Sequence, residues 1–139
     1  MQMRKTVLAS LTVTVVLGIA ASATPQVYPS RPISIIVPYT AGGQGDTLTR
    51  ILAEPMRASL GQPVIIDSRP GAGATLGHAL GAQATPDGYT LLLGTSGGLV
   101  TGPAFGTKVP YDPVKDLASI GLACDVPFLL IVHPSVPAK

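Results

Sequence analysis

Three glycine-rich runs hold the residues whose types and spacing could do chemistry. Ala41-Gly42-Gly43-Gln44-Gly45 follows Thr40 and leads to Asp46. Gly71-Ala72-Gly73 follows Arg69-Pro70, and Gly94-Thr95-Ser96-Gly97-Gly98 carries two hydroxyls. Glycine lets a ligand approach the backbone and lets neighbouring N–H groups converge on an anion. The chemistry this predicts is the capture of a small anion, most simply a carboxylate, by neutral backbone donors. Each glycine alone could equally serve a tight turn. It is three such runs, each after an apolar stretch, that point to a site.

Two enzymatic alternatives use the same residues. Gly94-Thr95-Ser96-Gly97-Gly98 fits the G-x-S-x-G elbow of serine hydrolases, with Ser96 as nucleophile. Asp112, Asp116 or Asp125 and then His133 would complete the order Ser, Asp, His. Against this, the serine should open a helix, and Gly97-Gly98 with Pro103 make a poor one. Gly71-x-Gly73-x-x-x-Gly77 approximates a dinucleotide fingerprint, but it is one residue too long. Asp87 lies in a turn rather than at the end of a strand, where a ribose ligand belongs. A structural or interaction module without ligand is the third alternative. Arg69 is the best charged anchor near the glycine runs, or else a partner for Asp67 or Asp116. His78 reads as a surface or packing residue, His133 as a strand-end residue and Cys124 as a small buried hydrophobe.

The elements that must position these runs alternate between strand and helix. Ile33 to Val37 is a β-branched strand closed by Pro38. Asp46 can cap the following helix, in which Leu48, Ile51, Leu52 and Met56 share a face and which Gly61 ends. Pro55 should kink or end that helix early. Val64-Ile65-Ile66 is a second strand, Thr75 to Ala84 a second helix, and Tyr89 to Leu93 a third strand after the Asp87-Gly88 turn. Beyond Val100 the pattern loosens, with strand candidates at Ile120 to Ala123 and Phe128 to Val132, and a turn with a short helix at 111–116. The alternation predicts an α/β fold with right-handed crossovers and a mostly parallel sheet. In such sheets ligands bind outside the carboxyl ends of the strands, where all three glycine runs would lie.

Composition narrows the classes. The 139 residues are 46% hydrophobic and 12% charged, with 16 Gly and 14 Pro. Scarce Lys and Arg argue against a nucleic-acid partner. One Cys excludes an internal disulfide, and with two His it argues against a zinc cluster. Arg4 and Lys5, the uncharged run Val7 to Ile19 and Ala21-Ser22-Ala23 together form a signal peptide, residues 1–23, with cleavage expected after Ala23. The run is too short to span a bilayer, which takes about 20 residues. Without the leader, seven Lys and Arg balance seven Asp and Glu.

The sequence resembles a known family. The runs that carry the resemblance are Tyr28-Pro29-Ser30-Arg31-Pro32-Ile33, Val37-Pro38-Tyr39 with Ala41-Gly42-Gly43 and Asp46, and Leu60-Gly61-Gln62-Pro63-Val64. Arg69-Pro70-Gly71-Ala72-Gly73, Pro86-Asp87-Gly88-Tyr89-Thr90-Leu91 and Tyr111-Asp112-Pro113-Val114-Lys115-Asp116-Leu117 continue it, so that it covers residues 28–139. These are similar to the extracytoplasmic solute receptors of tripartite tricarboxylate transporters, the Bug-type receptors. The resemblance implies a periplasmic-binding-protein-like (type II) lobe, monomeric, without cofactor or catalysis. Its ligand would be a small carboxylate and its partner the membrane subunits of a transporter. Carried over by position, the ligand contacts would be Thr40, Ala41, Gly42, Gly43 and Asp46, then Gly71, Ala72, Gly73 and the adjoining Ala74, then Thr95, Ser96 and Gly97. Ser68 stands where the family often has Asn, Ala74 where it often has a third glycine, and Pro55 is unusual. Residues 24–124 would form part of a first lobe and 125–139 the start of a crossover toward a second. A half-built cleft predicts weak or no ligand binding, since closure could not desolvate the anion from both sides.

Overall fold

The structure is a computed structural model, and it describes residues 27–136 except Phe128 and Leu130. The expected leader and its cleavage site lie outside the described residues.

Strand β1 (Ile33–Val37) is the centre of the fold. Strands β2 (Val64–Ser68) and β3 (Thr90–Leu92) pair with it on either side, both parallel, in the order β2-β1-β3. Ile33 faces Val64 and Ile35 faces Ile66 across one ladder, while Ile35 faces Leu91 across the other. Because side chains alternate along a strand, Ile33, Ile35 and Val37 line one face, and Ser34 and Ile36 the other. All four apolar residues of β1 are buried, so both faces are covered. That is why the strand reads as an apolar run interrupted only by Ser34 rather than an alternating one.

Helix α1 (Gln44–Leu60) covers the first face. Its Ala53, with no exposed surface, packs on Ile35 and Val64, flanked by Met56, Ile66 and Leu91. Gly61, with φ 65, ends the helix, and its N–H bonds back to the Arg57 carbonyl at 3.0 Å. The expected break at Pro55 does not occur. Pro55 and Ile51 sit on the solvent side of α1, so the carbonyl that loses its partner can be hydrated.

Helix α2 (Thr75–Ala82) covers the other face, and it does so through glycine. A Cβ on Gly77 would stand 2.7 Å from Pro38 Cα, and one on Gly81 would stand 2.9 Å from a methyl of Leu92. The i, i+4 pair lets the helix axis approach the sheet closely.

At the amino ends of the strands a clasp joins the incoming chain to β3. The Tyr28 hydroxyl donates to the Gly88 carbonyl (2.7 Å), and the Ser30 N–H donates to the Tyr89 hydroxyl (2.9 Å). Arg31 pairs with Asp87 at 2.7 Å and lies 4.1 Å from the Tyr89 ring centroid. The groove of about 280 Å³ between these four side chains is therefore lined by groups that already satisfy one another.

After β3 the structure departs from expectation. A wide helical turn (Gly97–Thr101) runs into a single α turn (Gly102–Ala104). Proline is tolerated there because Pro103 falls in the first turn, where its missing N–H has no partner to lose. Asp112 accepts N–H bonds from Val114 (3.0 Å) and Lys115 (3.2 Å), making a capped turn without the expected short helix. Neither Ile120 to Ala123 nor the described part of Phe128 to Val132 forms a strand. Ile120, Leu122, Leu129 and Ile131 are each more than 80% exposed, and apolar runs become strands only with a ladder partner to take their N–H and C=O groups. Cys124 is exposed, not buried. No helix among the described residues is long and apolar enough to cross a membrane.

Gly77→Ala tests the close approach of α2. Alanine favours a helix by about 1 kcal/mol, but overpacking costs about 1–3 kcal/mol, and here the obstructing Pro38 atoms belong partly to the backbone. The expected outcome is a net loss of stability in urea unfolding.

Candidate functional site

Parallel pairing puts the carboxyl ends of all three strands on one edge. The ladders continue past the strands, with Arg69 N–H donating to the Val37 carbonyl (2.8 Å) and Leu93 N–H to the Ile36 carbonyl (2.9 Å). The three glycine runs leave from this edge side by side, the first between the other two. All the sequence-predicted contacts at 40–43, 46, 71–73 and 95–97 are brought to it, but not as equivalent donors.

The first loop is internally tied. Asp46 is not the cap of α1. Gly43 holds that place, and Asp46 lies three residues further along. Its carboxylate, only 3% exposed, reaches back to accept the Gly42 N–H at 2.9 Å. Arg50 grips the same carboxylate with two N–H groups, at 2.9 and 3.1 Å. These bonds, that of Arg50 first and that of Gly42 second, hold the Asp46 carboxyl below the usual carboxylate range. The Gly43 N–H donates to the Thr40 carbonyl at 3.2 Å. The two glycine amides expected to meet a ligand are thus occupied, and Thr40 and Ala41 form the exposed rim.

The second loop is the opposite case. Gly71 has φ 145, and Ala72, Gly73 and Ala74 follow with φ 48, 63 and 78. Three successive residues lie in the left-handed region, two of them with a Cβ. Ala74, where the resemblance led us to expect a third glycine, takes a φ that glycine adopts freely. Among the described residues no acceptor takes the N–H groups of Ala72 and Gly73, which are exposed. They are consecutive unpaired donors on exposed residues at the head of α2.

In the third loop the Thr95 N–H points inward to His78 Nε2 at 3.3 Å. The Thr95 carbonyl accepts the Leu99 N–H (3.0 Å) and so starts the helical turn. Ser96 and Gly97 follow, exposed, and no acceptor among the described residues takes their N–H groups. Behind them Tyr111, 8% exposed, donates its hydroxyl to the Gly98 carbonyl at 2.8 Å, and burial pushes its phenol up.

Both nearby arginines already hold a carboxylate partner. Arg50 belongs to Asp46, and Arg69 is paired with Asp67 at 2.9 Å. The hydrolase arrangement is not assembled. Ser96 does begin a helical turn, contrary to expectation, because the Leu99 and Gly102 N–H groups close it onto the Thr95 and Gly97 carbonyls. His133, however, bonds Ser135 (2.8 Å), and among the described residues no histidine bonds the Ser96 hydroxyl. No group of metal-ligating side chains is found among the described residues.

Sequence reasoning missed the structural weight of His78 and Tyr111. The signal for His78 was present: it adjoins Gly77 in the Gly77/Gly81 pair that marks the buried side of α2.

The family profile described as "Tripartite tricarboxylate transporter family receptor" matches residues 48–139. The chain belongs to this family. Protein BugT of Bordetella pertussis is 41% identical over 120 residues, which are 86% of this chain and 37% of that protein. The structure of MatC from Rhodopseudomonas palustris with bound malate is similar, with TM-score 0.61 and 39% identity over 64% of this chain and 30% of that one. An R. palustris protein solved with adipate has TM-score 0.50 and 35% identity, covering 51% of this chain and 24% of that one. The chain thus spans little more than a third of the length of the curated relatives it matches. The fold is that of periplasmic binding proteins, and the parallel sheet with helices on both faces is part of it.

Two outcomes follow from the loops. Asp46 is held ionised in the folded state, so its contribution is present above its ordinary pKa of about 4 and lost as the pH falls below it. The stability gap between the wild type and Asp46→Asn should therefore close on acidification, measured by urea unfolding across pH. Ala72 is exposed at φ 48, and leaving the left-handed region to glycine relieves roughly 1–2 kcal/mol while the freer unfolded chain takes back about 0.4–1 kcal/mol. Ala72→Gly should raise stability by about 0.5–1 kcal/mol in the same assay.

Proposed function

We propose that the chain is part of a periplasmic solute-binding receptor that captures a small carboxylate for a tripartite tricarboxylate transport system. The observation that carries the reading is the row of unengaged amides of Ala72, Gly73, Ser96 and Gly97 on one sheet edge, beside arginines that are all paired internally. An anion held there is held by partial charges, which suits reversible capture and release better than tight ion pairing. The malate and adipate bound by the two R. palustris relatives are of the class such an edge would take. Binding without turnover is the role assigned.

On this reading residues 1–23 are a cleaved export signal, 24–124 belong to the first lobe and 125–139 begin a crossover. The exposed apolar stretch around Ile120 to Ile131 is then the stretch that the remainder of a receptor covers. Membrane subunits of a transporter are the partner, and the receptor acts as a monomer. The described residues supply one wall of the cleft, so affinity for the isolated chain is low.

Malate and adipate titrated into the ¹⁵N-labelled chain test this. The expected result is amide shifts at Ala72, Gly73, Ser96 and Gly97 that saturate only at millimolar ligand, with none from the neutral diamide of malic acid. Absence of shifts at these amides with malate, adipate and an aromatic acid alike would overturn the carboxylate reading. Submicromolar affinity would overturn the half-cleft reading.

A further inference from the structure

We propose that His78 is the positioning residue of the site, a neutral imidazole that fixes which donors the third loop turns outward. The inference deepens the carboxylate reading and rests on it for the meaning of those donors. It stands on five contacts of a ring that is fully buried on α2, between the second and third loops.

The two ring nitrogens meet backbone groups of opposite kind. Nδ1 lies 2.7 Å from the Ala74 carbonyl, which can only accept, so Nδ1 carries the proton. Nε2 lies 3.3 Å from the Thr95 N–H, which can only donate, so Nε2 presents its lone pair. The Thr95 hydroxyl, 3.4 Å from Nε2, shares that corner. One tautomer alone satisfies both partners.

The walls leave the ring no other place. Tyr111 stacks on it with centroids 6.1 Å apart, and is the titratable group that faces it; its hydroxyl is spent on Gly98. On the Gly98 side a Cβ would stand 2.5 Å from Cε1 and 2.6 Å from Nδ1. Gly98 is therefore a glycine because His78 is a histidine.

The consequence concerns the site. Ala74 ends the left-handed run of the second loop, and Thr95 begins the helical turn of the third. One ring joins the two. By taking the Thr95 N–H inward, it removes that amide from the ligand side and sets the turn whose first outward N–H groups are those of Ser96 and Gly97. The third loop then offers two amides to an anion rather than three.

Two variants separate positioning from packing, because each keeps one of the two bonds. Gln at 78 can place an acceptor at the depth of Nε2, and Asn can place a donor at the depth of Nδ1. Ring ¹⁵N signals of the wild type should show the Nδ1–H, bare-Nε2 form at neutral pH. The Thr95, Ser96 and Gly97 amide signals should stay close to wild type in His78→Gln and move in His78→Asn. Malate affinity, read from the initial slope of shift against concentration, should fall about tenfold in His78→Asn, the size of one misplaced hydrogen bond, and under threefold in His78→Gln. A protonated Nε2 in the wild type, or Gln and Asn variants with the same amide signals at 95–97, would overturn the proposal. These spectra need no ligand, so a wild-type protein that ignores malate would count against the carboxylate reading and leave the assignment of His78 to the ring and amide signals.

Discussion

The whole arrangement hangs on β1 being central and parallel to both neighbours. A strand paired on two sides has no free edge, and its side chains must be buried above and below. Parallel pairing forbids hairpins, so each connection must cross a face of the sheet, and a helix is the element that can do so with its polar groups satisfied. The same geometry sends every connection out from the carboxyl edge. Three loops side by side are thus a product of the hydrogen-bond ladder before they are a product of any ligand.

Given that edge, the loops divide the labour unevenly. In the first, a buried carboxylate organises the backbone, and the glycine amides are used up in doing so. In the second, a left-handed backbone turns amides outward, and two alanines bear the steric cost. In the third, a histidine pulls one amide in and leaves the next two out. On the proposed reading, carboxylate recognition at this edge would follow from where N–H groups are left over, not from unpaired cations placed to attract. The balance of seven Lys and Arg against seven Asp and Glu over residues 24–139 is consistent with that.

Much of this was legible in the sequence because it rests on local chemistry. The strand at Ile33–Val37 shows in its β-branched run, the end of α1 in Gly61, and the family in runs such as Arg69-Pro70-Gly71-Ala72-Gly73. What was not legible depends on contacts far apart in the chain. Asp46 looks like a cap, since sequence shows an acid before a helix but not that the true cap is Gly43, three residues sooner. Pro55 looks like a breaker because its spacing does not say that it faces water. Ile120 and Leu129 look like strand residues, as their composition is that of strands, yet a strand exists only beside another. His78 looked bland because its two partners lie in different loops, 4 and 17 positions away.

The clasp at the amino ends has a consequence for how the chain comes together in time. Tyr28 and Ser30 bond to residues about sixty positions later, and β1 finds its partners about thirty and more than fifty positions downstream. Nothing in this sheet can form from neighbours alone. Closing such long segments loses entropy before any contact repays it, which makes folding slow for the size of the unit. The first strand to leave the ribosome is also the one that must wait for all the others. A chain that delays in this way stays open, with its apolar strand uncovered, until the last partner has been made.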